Sequence, residues 1–510
     1  MKKIFSLLIL GVFFTIIFLG CDKALNIEPR QSVSSEVALQ SREGINAAIT
    51  GVYSRLKSTR VYGRDLIALP DALSDNGYAT NNSGRLIGEA RNNFRAHFTD
   101  ALWQTSYIAI NDINLVLEAL PTLNINPALP TTERNQIEGE LYFLRALFHF
   151  NLALAYAYIP GAIVASQDKG GIPLVLIGTK TLDQAIKFLP SRSPINDVYA
   201  QIVKDFEEAN ARLSYPGTIF PNRANKAAAQ AMLSRVNLYR KDYANAKRWA
   251  DSCITIAGSR LTDSTGYVAQ WRRSTHDETL FQVQFLNTNE NIGVNESLQT
   301  SFTTLTTVGV RNITGGFGDL VPSLSLLNAL GITLAGGNTN ANFLSSNNTV
   351  IQSRSRDVRN LLYEVGTTGR NKAFVETTKY LGKNGAINLD NIPVVRIAEV
   401  YLSRAEALST PGSSVLDESA ALADLNKIAI NRGLTAFSLA GSNLYEEILR
   451  QRRIELAFEG HRFWDLKRLG RNILKGPHYT DVAFDDIRIL APIPQSQVDG
   501  NPTLVQNSGY

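Results

Sequence analysis

The chain has 510 residues, of which 44% are hydrophobic and 19% charged, enough apolar material for a large core and too little charge for a disordered polymer. Lys and Arg number 51 against 46 Asp and Glu; without Lys2 and Lys3, which fall in an N-terminal leader, 49 remain, scattered and not gathered into the basic stripe of a nucleic-acid binder. Cys21 and Cys253 are the only thiols, which excludes a disulfide scaffold, and length alone allows about three domains at most.

Residues 1–20 read as a signal peptide: Lys2 and Lys3, a mostly apolar stretch from Ile4 to Leu19, then Gly20. The apolar stretch is shorter than the roughly 20 residues that cross a bilayer core. Cys21 directly after Gly20 resembles a bacterial lipoprotein processing site, with Phe18 where Leu is usual. Acylation of Cys21 would anchor the mature chain to a membrane surface. Residues 21–35 then form a polar tether.

Helices dominate the rest of the chain. Gly44 to Leu56 and Leu102 to Leu120 suggest one helical pair, and Gln136 to Ala157 with Ile195 to Leu213 another. The helix from Gln136 is apolar on nearly every side after Leu141, as expected of a helix inside a bundle. Ser193 and Pro194 are expected to open the Ile195 helix, whose apolar positions Ile195, Val198, Tyr199, Ile202, Phe206, Ala209 and Leu213 keep a 3.6-residue spacing. Ala227 to Tyr239 and Tyr243 to Ile256 flank a tight Arg240-Lys241-Asp242 turn, with Ala228, Ala231, Ala246 and Ala250 at the crossing, a pattern similar to a tetratricopeptide hairpin. Val394 to Leu408 with Ser419 to Asn431 is a weaker copy. Stacked hairpins make a solenoid scaffold; unrelated hairpins in an ordinary bundle are the alternative. Asp65 to Phe98 and Asn287 to Thr349 lack helical period and are rich in Asn, Gly and Ser, so they read as long loops of functional character. Short strands are expected at Thr279 to Phe285 and Ile487 to Ile493, and Cys253 is expected to be buried and inert.

No catalytic constellation emerges. The five histidines, His97, His149, His276, His461 and His478, form no metal-ligand spacing, and no phosphate loop or nucleophile elbow is present, so no metal or cofactor is expected. Glu455 and Glu459 stand one helical turn apart, but a glycosidase needs its carboxyls on opposite sides of a sugar. Arg452 and Arg462 lie within helical reach of them, which favours a salt-bridged helix end stopping at Gly460.

The stretch Arg452-Arg453-Ile454-Glu455-Leu456-Ala457-Phe458-Glu459-Gly460-His461-Arg462-Phe463-Trp464-Asp465-Leu466-Lys467-Arg468 resembles the C-terminal signature of the SusD/RagB family of Bacteroidetes outer-membrane lipoproteins, with Gln451 in place of a leading Glu. Other blocks agree in order: Leu25 to Pro29, Gly44 to Tyr53, Ser74-Asp75-Asn76, Trp103 to Asn114, Glu138 to Pro160, Arg396 to Leu402, and Gln506 to Tyr510. The resemblance implies a mainly α, SusD-like fold with about four tetratricopeptide-like hairpins and long loop-rich insertions. Residues 36–260 and 261–510 would intertwine in one unit. It implies a cell-surface, lipid-anchored binder, not an enzyme, that captures oligosaccharide and delivers it to a SusC-like TonB-dependent transporter of the outer membrane. A lipid-anchored helical glycoside hydrolase and a tetratricopeptide assembly scaffold without small ligand are the alternatives.

The resemblance carries over no ligand residues, so candidates come from composition and location. They are Tyr78, Asn81, Asn82, Arg85 and Phe94 in the first loop, and Phe302, Phe317 and Phe343 in the second. Rings stacking on pyranose faces, with Asn and Arg bonding hydroxyls, would hold a sugar. Trp103 and Trp464 are expected in the core, Trp249 beside Cys253, and Trp271 is left open.

Overall fold

A computed structural model describes residues 39–510 except 126, 216, 287, 346–349 and 371. The leader, Cys21 and the tether lie outside the described residues. The frame consists of α1 (Arg42–Leu56), α2 (Asp100–Ala119), α3 (Thr131–Tyr156), α4 (Ile195–Arg212), α5 (Lys226–Tyr239), α6 (Tyr243–Ala257), α7 (Ile397–Ser409), α8 (Glu418–Asn431) and α9 (Gly441–Glu455). Each packs on its successor, and α7 also touches α5 and α9. The result is the stacked series of helical hairpins anticipated from the repeats, because each pair has an apolar face that only the next pair covers.

Local sequence explains the individual helices. From Leu141 to Tyr156 all but Tyr142 are buried, as expected of a helix wrapped by neighbours. In the α5/α6 hairpin, Lys241 takes a positive φ of 63° and the Asp242 side chain caps α6 by accepting from the Asn245 N–H. Ala228, Ala246 and Ala250 are fully buried at the crossing, and Cys253 sits among them, its thiol pushed up by burial. Ser193 does not cap α4. Pro194 occupies the cap position, while Ser193 pairs through its backbone with Gly171 and Ile172.

Among the described residues, eight short strands form four antiparallel pairs: β1 (Gly77–Ala79) with β3 (Leu320–Pro322), β2 (Thr279–Val283) with β8 (Ile392–Arg396), β4 (Ile332–Leu334) with β5 (Ile351–Arg354), and β6 (Tyr363–Val365) with β7 (Val375–Thr377). The strand expected at Thr279 is β2. Its partner β8 takes Val394 to Arg396 out of the expected helix, since the run Ile392 to Val395 is rich in β-branched residues. Ile487 to Ile493 is not a strand: Ala491 donates to Ala155 O at the end of α3, and Ile493 to the Gln506 side chain, so no ladder forms. Asp65 to Phe98 is not all loop either, for Asp65–Leu73 is a helix buried along its whole length.

One apolar cluster runs from Ile45 to Leu504, and the β1–β3 pair joins the early part of the chain to the late part. Trp103, Trp271 and Trp464 lie in it, with Trp249 packed at its edge. The signature segment joins the halves by charge. Glu455 accepts from Arg432, Arg396 and Arg359, and Glu459 from Arg396 and Lys379. The expected salt-bridged helix end is therefore real, but its partners are distant and not the helical neighbours: Arg452 turns to Asp465 and Arg462 to Asp75. Both Glu carboxyls are enclosed, so neither is open to a sugar. The helix also stops earlier than expected, at Glu455, and Gly460 instead lies against the Leu66 carbonyl, 2.2 Å from where a Cβ would be.

Candidate functional site

The same joint aims the first loop. The Asp71 carboxylate accepts from the Asn76 side chain and from the Phe458 and Gly460 N–H groups, while Arg453 donates to Asn76 Oδ1 at 2.8 Å and Arg462 grips Asp75 at 2.7 Å. The chain leaves this clamp as β1, placing Tyr78 opposite Val321 on β3. Beyond β1, Thr80 Oγ1 donates to Gly318 O at 2.7 Å and Asn82 Nδ2 to Phe317 O at 2.7 Å. Ser83 donates through both N–H and hydroxyl to Asp319 Oδ1. The two stretches nominated from sequence thus meet, though they are more than 200 residues apart.

Phe317 is presented by a glycine loop. The N–H groups of Phe317 and Gly318 both donate to Thr300 O, and a Cβ on Gly316 would stand 2.1 Å from Thr303 O, so only glycine allows this approach. Beneath the loop, Glu376 accepts from the Thr303 and Thr304 hydroxyls and the Thr304 N–H; burial pushes its carboxyl up to about 7 against those bonds. The tip of the β6–β7 hairpin closes over from the other side. Arg370 holds its guanidinium 4.3 Å from the Phe317 ring centroid and Arg85 lies 5.1 Å from it.

Beside Phe317 lies an aromatic cluster around half-buried Tyr78. Tyr479 stacks on it at 5.6 Å and 11°, and Phe343, Phe374 and His478 surround it at 5.2, 5.8 and 4.9 Å. His478 Nε2 accepts from the Leu324 N–H, and burial lowers the imidazole to about 4, so the ring is neutral. Lys372 stands 4.2 Å above Phe374 and donates to Phe343 O; burial lowers its ammonium to about 8.

Of the nominated residues, Tyr78, Asn82, Arg85 and Phe317 come together with partly open side chains, and exposed Asn81 sits between them at φ 66°. Phe343 is 2% exposed and forms the backing of Tyr78. Phe302 is corrected to a core residue: it is 0% exposed, packed edge-on against Phe458, and has no face for a ligand. Phe94 is 56% exposed but stacks on Tyr510, apart from this cluster. Arg370, Lys372, Phe374, His478 and Tyr479 were not foreseen. The turn-rich stretch from Gly366 to Lys372 marks a hairpin, but nothing in the sequence says which loop its tip meets.

A further concavity lies elsewhere. A groove of about 940 Å³ runs between α2, residues 173–190 and the C-terminal stretch near Ser496 to Leu504. It is bordered by exposed aliphatic side chains, Leu182 at 76% among them, with Ile177 and Ile186 beside it. The lining also holds half-buried Tyr107 and exposed Phe188 together with Gln104, Asn111, Lys180, Gln497 and Asn501, so this groove is the competing site for a ligand. Among the described residues no group of acidic, His or Cys side chains is arranged to hold a metal, and no helix is long and apolar enough to cross a membrane.

Two family models match the chain, one described as "Starch-binding associating with outer membrane" over residues 24–238 and one as "SusD family" over residues 333–510. The chain belongs to the SusD/RagB family. SusD-like protein P2 of Formosa agariphila is 26% identical over 96% of this chain and 97% of its own, and SusD-like protein P38 of the same organism is 24% identical over the full length of both. Among solved structures, a putative sugar binding protein from Bacteroides vulgatus is 26% identical with a TM-score of 0.73, covering 92% of this chain and 98% of that one. A SusD superfamily protein from Bacteroides thetaiotaomicron is 25% identical with a TM-score of 0.74, covering 93% and 100%. The SusD/RagB membership accounts for the mainly helical frame. The Phe317 loop falls between the two matched stretches, outside both.

Proposed function

We propose that the protein is a cell-surface lipoprotein, anchored through Cys21, that binds oligosaccharide on the Tyr78–Phe317 face and passes it to a SusC-like TonB-dependent transporter. The observation that carries the reading is the meeting of residues 78–85 with residues 317–319, which sets partly open aromatic rings beside Asn82 and Arg85. Rings supply flat apolar platforms and the polar side chains supply directional bonds, the pairing a pyranose needs. The relatives' names, sugar binding and starch-binding among them, agree with that ligand class. For the transporter, support comes from the exposed aliphatic side chains between Leu176 and Leu189, which adjoin a second groove bordered by Leu39, where the chain leads back toward Cys21. A hydrolase centred on Glu455 and Glu459 is disfavoured, since both carboxyls are committed to buried cations.

Affinity electrophoresis across a polysaccharide panel tests the reading. Retardation is expected for the intact protein and is lost in Phe317→Ala and Tyr78→Ala, with the fold unchanged by circular dichroism. Release of new reducing ends, or retardation indifferent to both substitutions, contradicts it.

A further inference from the structure

The polar groups around Phe317 and Tyr78 are unbalanced in sign. Arg370 is held by its Nε, which donates to Gly316 O at 3.3 Å, and Arg311 likewise by its Nε to Gly366 O at 3.1 Å. Each guanidinium therefore keeps its two terminal nitrogens unbonded among the described residues. Lys372 spends one proton on a carbonyl and otherwise rests on rings, and exposed Arg91 lies near enough to bias Tyr78 and Tyr479. None of these four closes on a carboxylate among the described residues. On other surfaces, Arg212, Arg273 and Arg404 each meet one within 3 Å. Arg85 donates to the Ser83 hydroxyl at 3.4 Å, and its one carboxylate partner among the described residues is Asp319, at 3.7 Å, which is buried and already bonded to Ser83.

The carboxylates of this face are closed to a ligand, for Asp319 and Glu376 are buried beneath the loops. Asn82 commits its amide N–H to Phe317 O and keeps its Oδ1 as a neutral acceptor. The charged groups that remain open are cationic donors around aromatic rings. A guanidinium pinned by its Nε, with its fork free and its plane set by a ring, is pre-organised for an oxyanion, which it binds through two parallel bonds.

We propose that the ligand of this face is an anionic saccharide, bearing carboxylate or sulfate ester groups that seat on Arg370 and Lys372 while its rings lie on Phe317 and Tyr78. This rests on the saccharide-binding function proposed above and deepens it by naming the charge class. Arg85, Arg91 and Arg311 border the site and add to its field. Selectivity over neutral sugars results, because hydroxyl oxygens can accept from the cations but supply no counter-charge and no oxyanion for the guanidinium fork.

The test is a glycan array holding uronate-bearing, sulfated and neutral oligosaccharides, followed by calorimetry on each hit and on its carboxyl-reduced or desulfated counterpart. Expected is binding to charged oligosaccharides at least roughly tenfold tighter than to the neutralised counterpart, weakening as salt rises from 50 to 500 mM (chosen as about a threefold span in Debye length). Arg370→Ala and Lys372→Ala each reduce it by about tenfold, Lys372→Arg keeps most of it, and Arg370→Lys keeps only part, since an ammonium cannot make the fork's two parallel bonds. The counterpart that loses binding tells carboxylate from sulfate. Equal or tighter binding of neutral oligosaccharides, unchanged by the alanine substitutions, overturns the charge assignment and leaves saccharide binding standing. Binding to no oligosaccharide overturns both.

Discussion

Glu399 shows how single residues in this chain act through distant partners. It opens α7, and Arg235 from α5 donates to its Oε1 at 2.7 Å while also reaching Val394 O. Burial pushes this carboxyl up, but Arg235, His461 and Arg452 outweigh it and hold the group down at about 2. An unfolded Glu titrates near about 4.3. The stabilisation is therefore complete above that value and is lost as pH falls toward about 2. Glu399→Gln leaves Arg235 buried without its counter-charge, and a destabilisation of about 3–5 kcal/mol is expected in urea unfolding at neutral pH. The gap to the unsubstituted protein should narrow on acidification from about 4.5 to 2; a gap independent of pH contradicts the pairing. Sequence made these residues visible and hid their partners: Arg452 and Glu455 look like an i, i+3 pair, yet tertiary packing sends Arg452 to Asp465 and gives Glu455 to Arg432. Helical spacing proposes neighbours, and burial on every side removes that preference.

At the scale of elements, legibility followed amphipathicity. Helix α4 was clear because it has one apolar stripe. The Asp65–Leu73 helix escaped because all nine of its residues are buried, which erases the period, and Pro70 lies inside it. The strands β1 and β3 are three residues each, too short to alternate visibly, yet they register Tyr78 against Val321 and so build the site. Gly315 to Gly318 read as loop composition, whereas its physical content is contact: the loop presses onto Thr300 and Thr303 to turn Phe317 outward. Gly316→Ala forces that loop away. A loss of saccharide affinity of about tenfold or more is expected in calorimetry, with the far-ultraviolet spectrum unchanged, because one or two kcal/mol of local strain reorients the platform without breaking the helical frame. Unaltered affinity would show that Phe317 does not depend on this contact.

Over the whole molecule, the small net charge conceals local order. Arginines are drawn inward: Arg359, Arg396, Arg432 and Arg452, among the largest buried side chains, bind segments of the late half together, while Arg235, Arg453 and Arg462 tie the early half to the late half through Glu399, Asn76 and Asp75. Others, near Phe317, meet carbonyls but no carboxylate among the described residues. Order along the chain gave the family resemblance and the nomination of two loops; it did not give the third participant, the β6–β7 hairpin tip, because contact across such separations leaves no local trace. The helical frame and its charged joint hold these three segments in one place, leaving the groove beside α2 on another surface. The most direct test is a crystal structure soaked with an oligosaccharide that binds in solution. Sugar rings are expected against Phe317 and Tyr78, with an acidic group on Arg370 or Lys372. Sugar in the groove bordered by Trp103, Leu182 and Phe188, with the Phe317 face empty, would contradict this assignment.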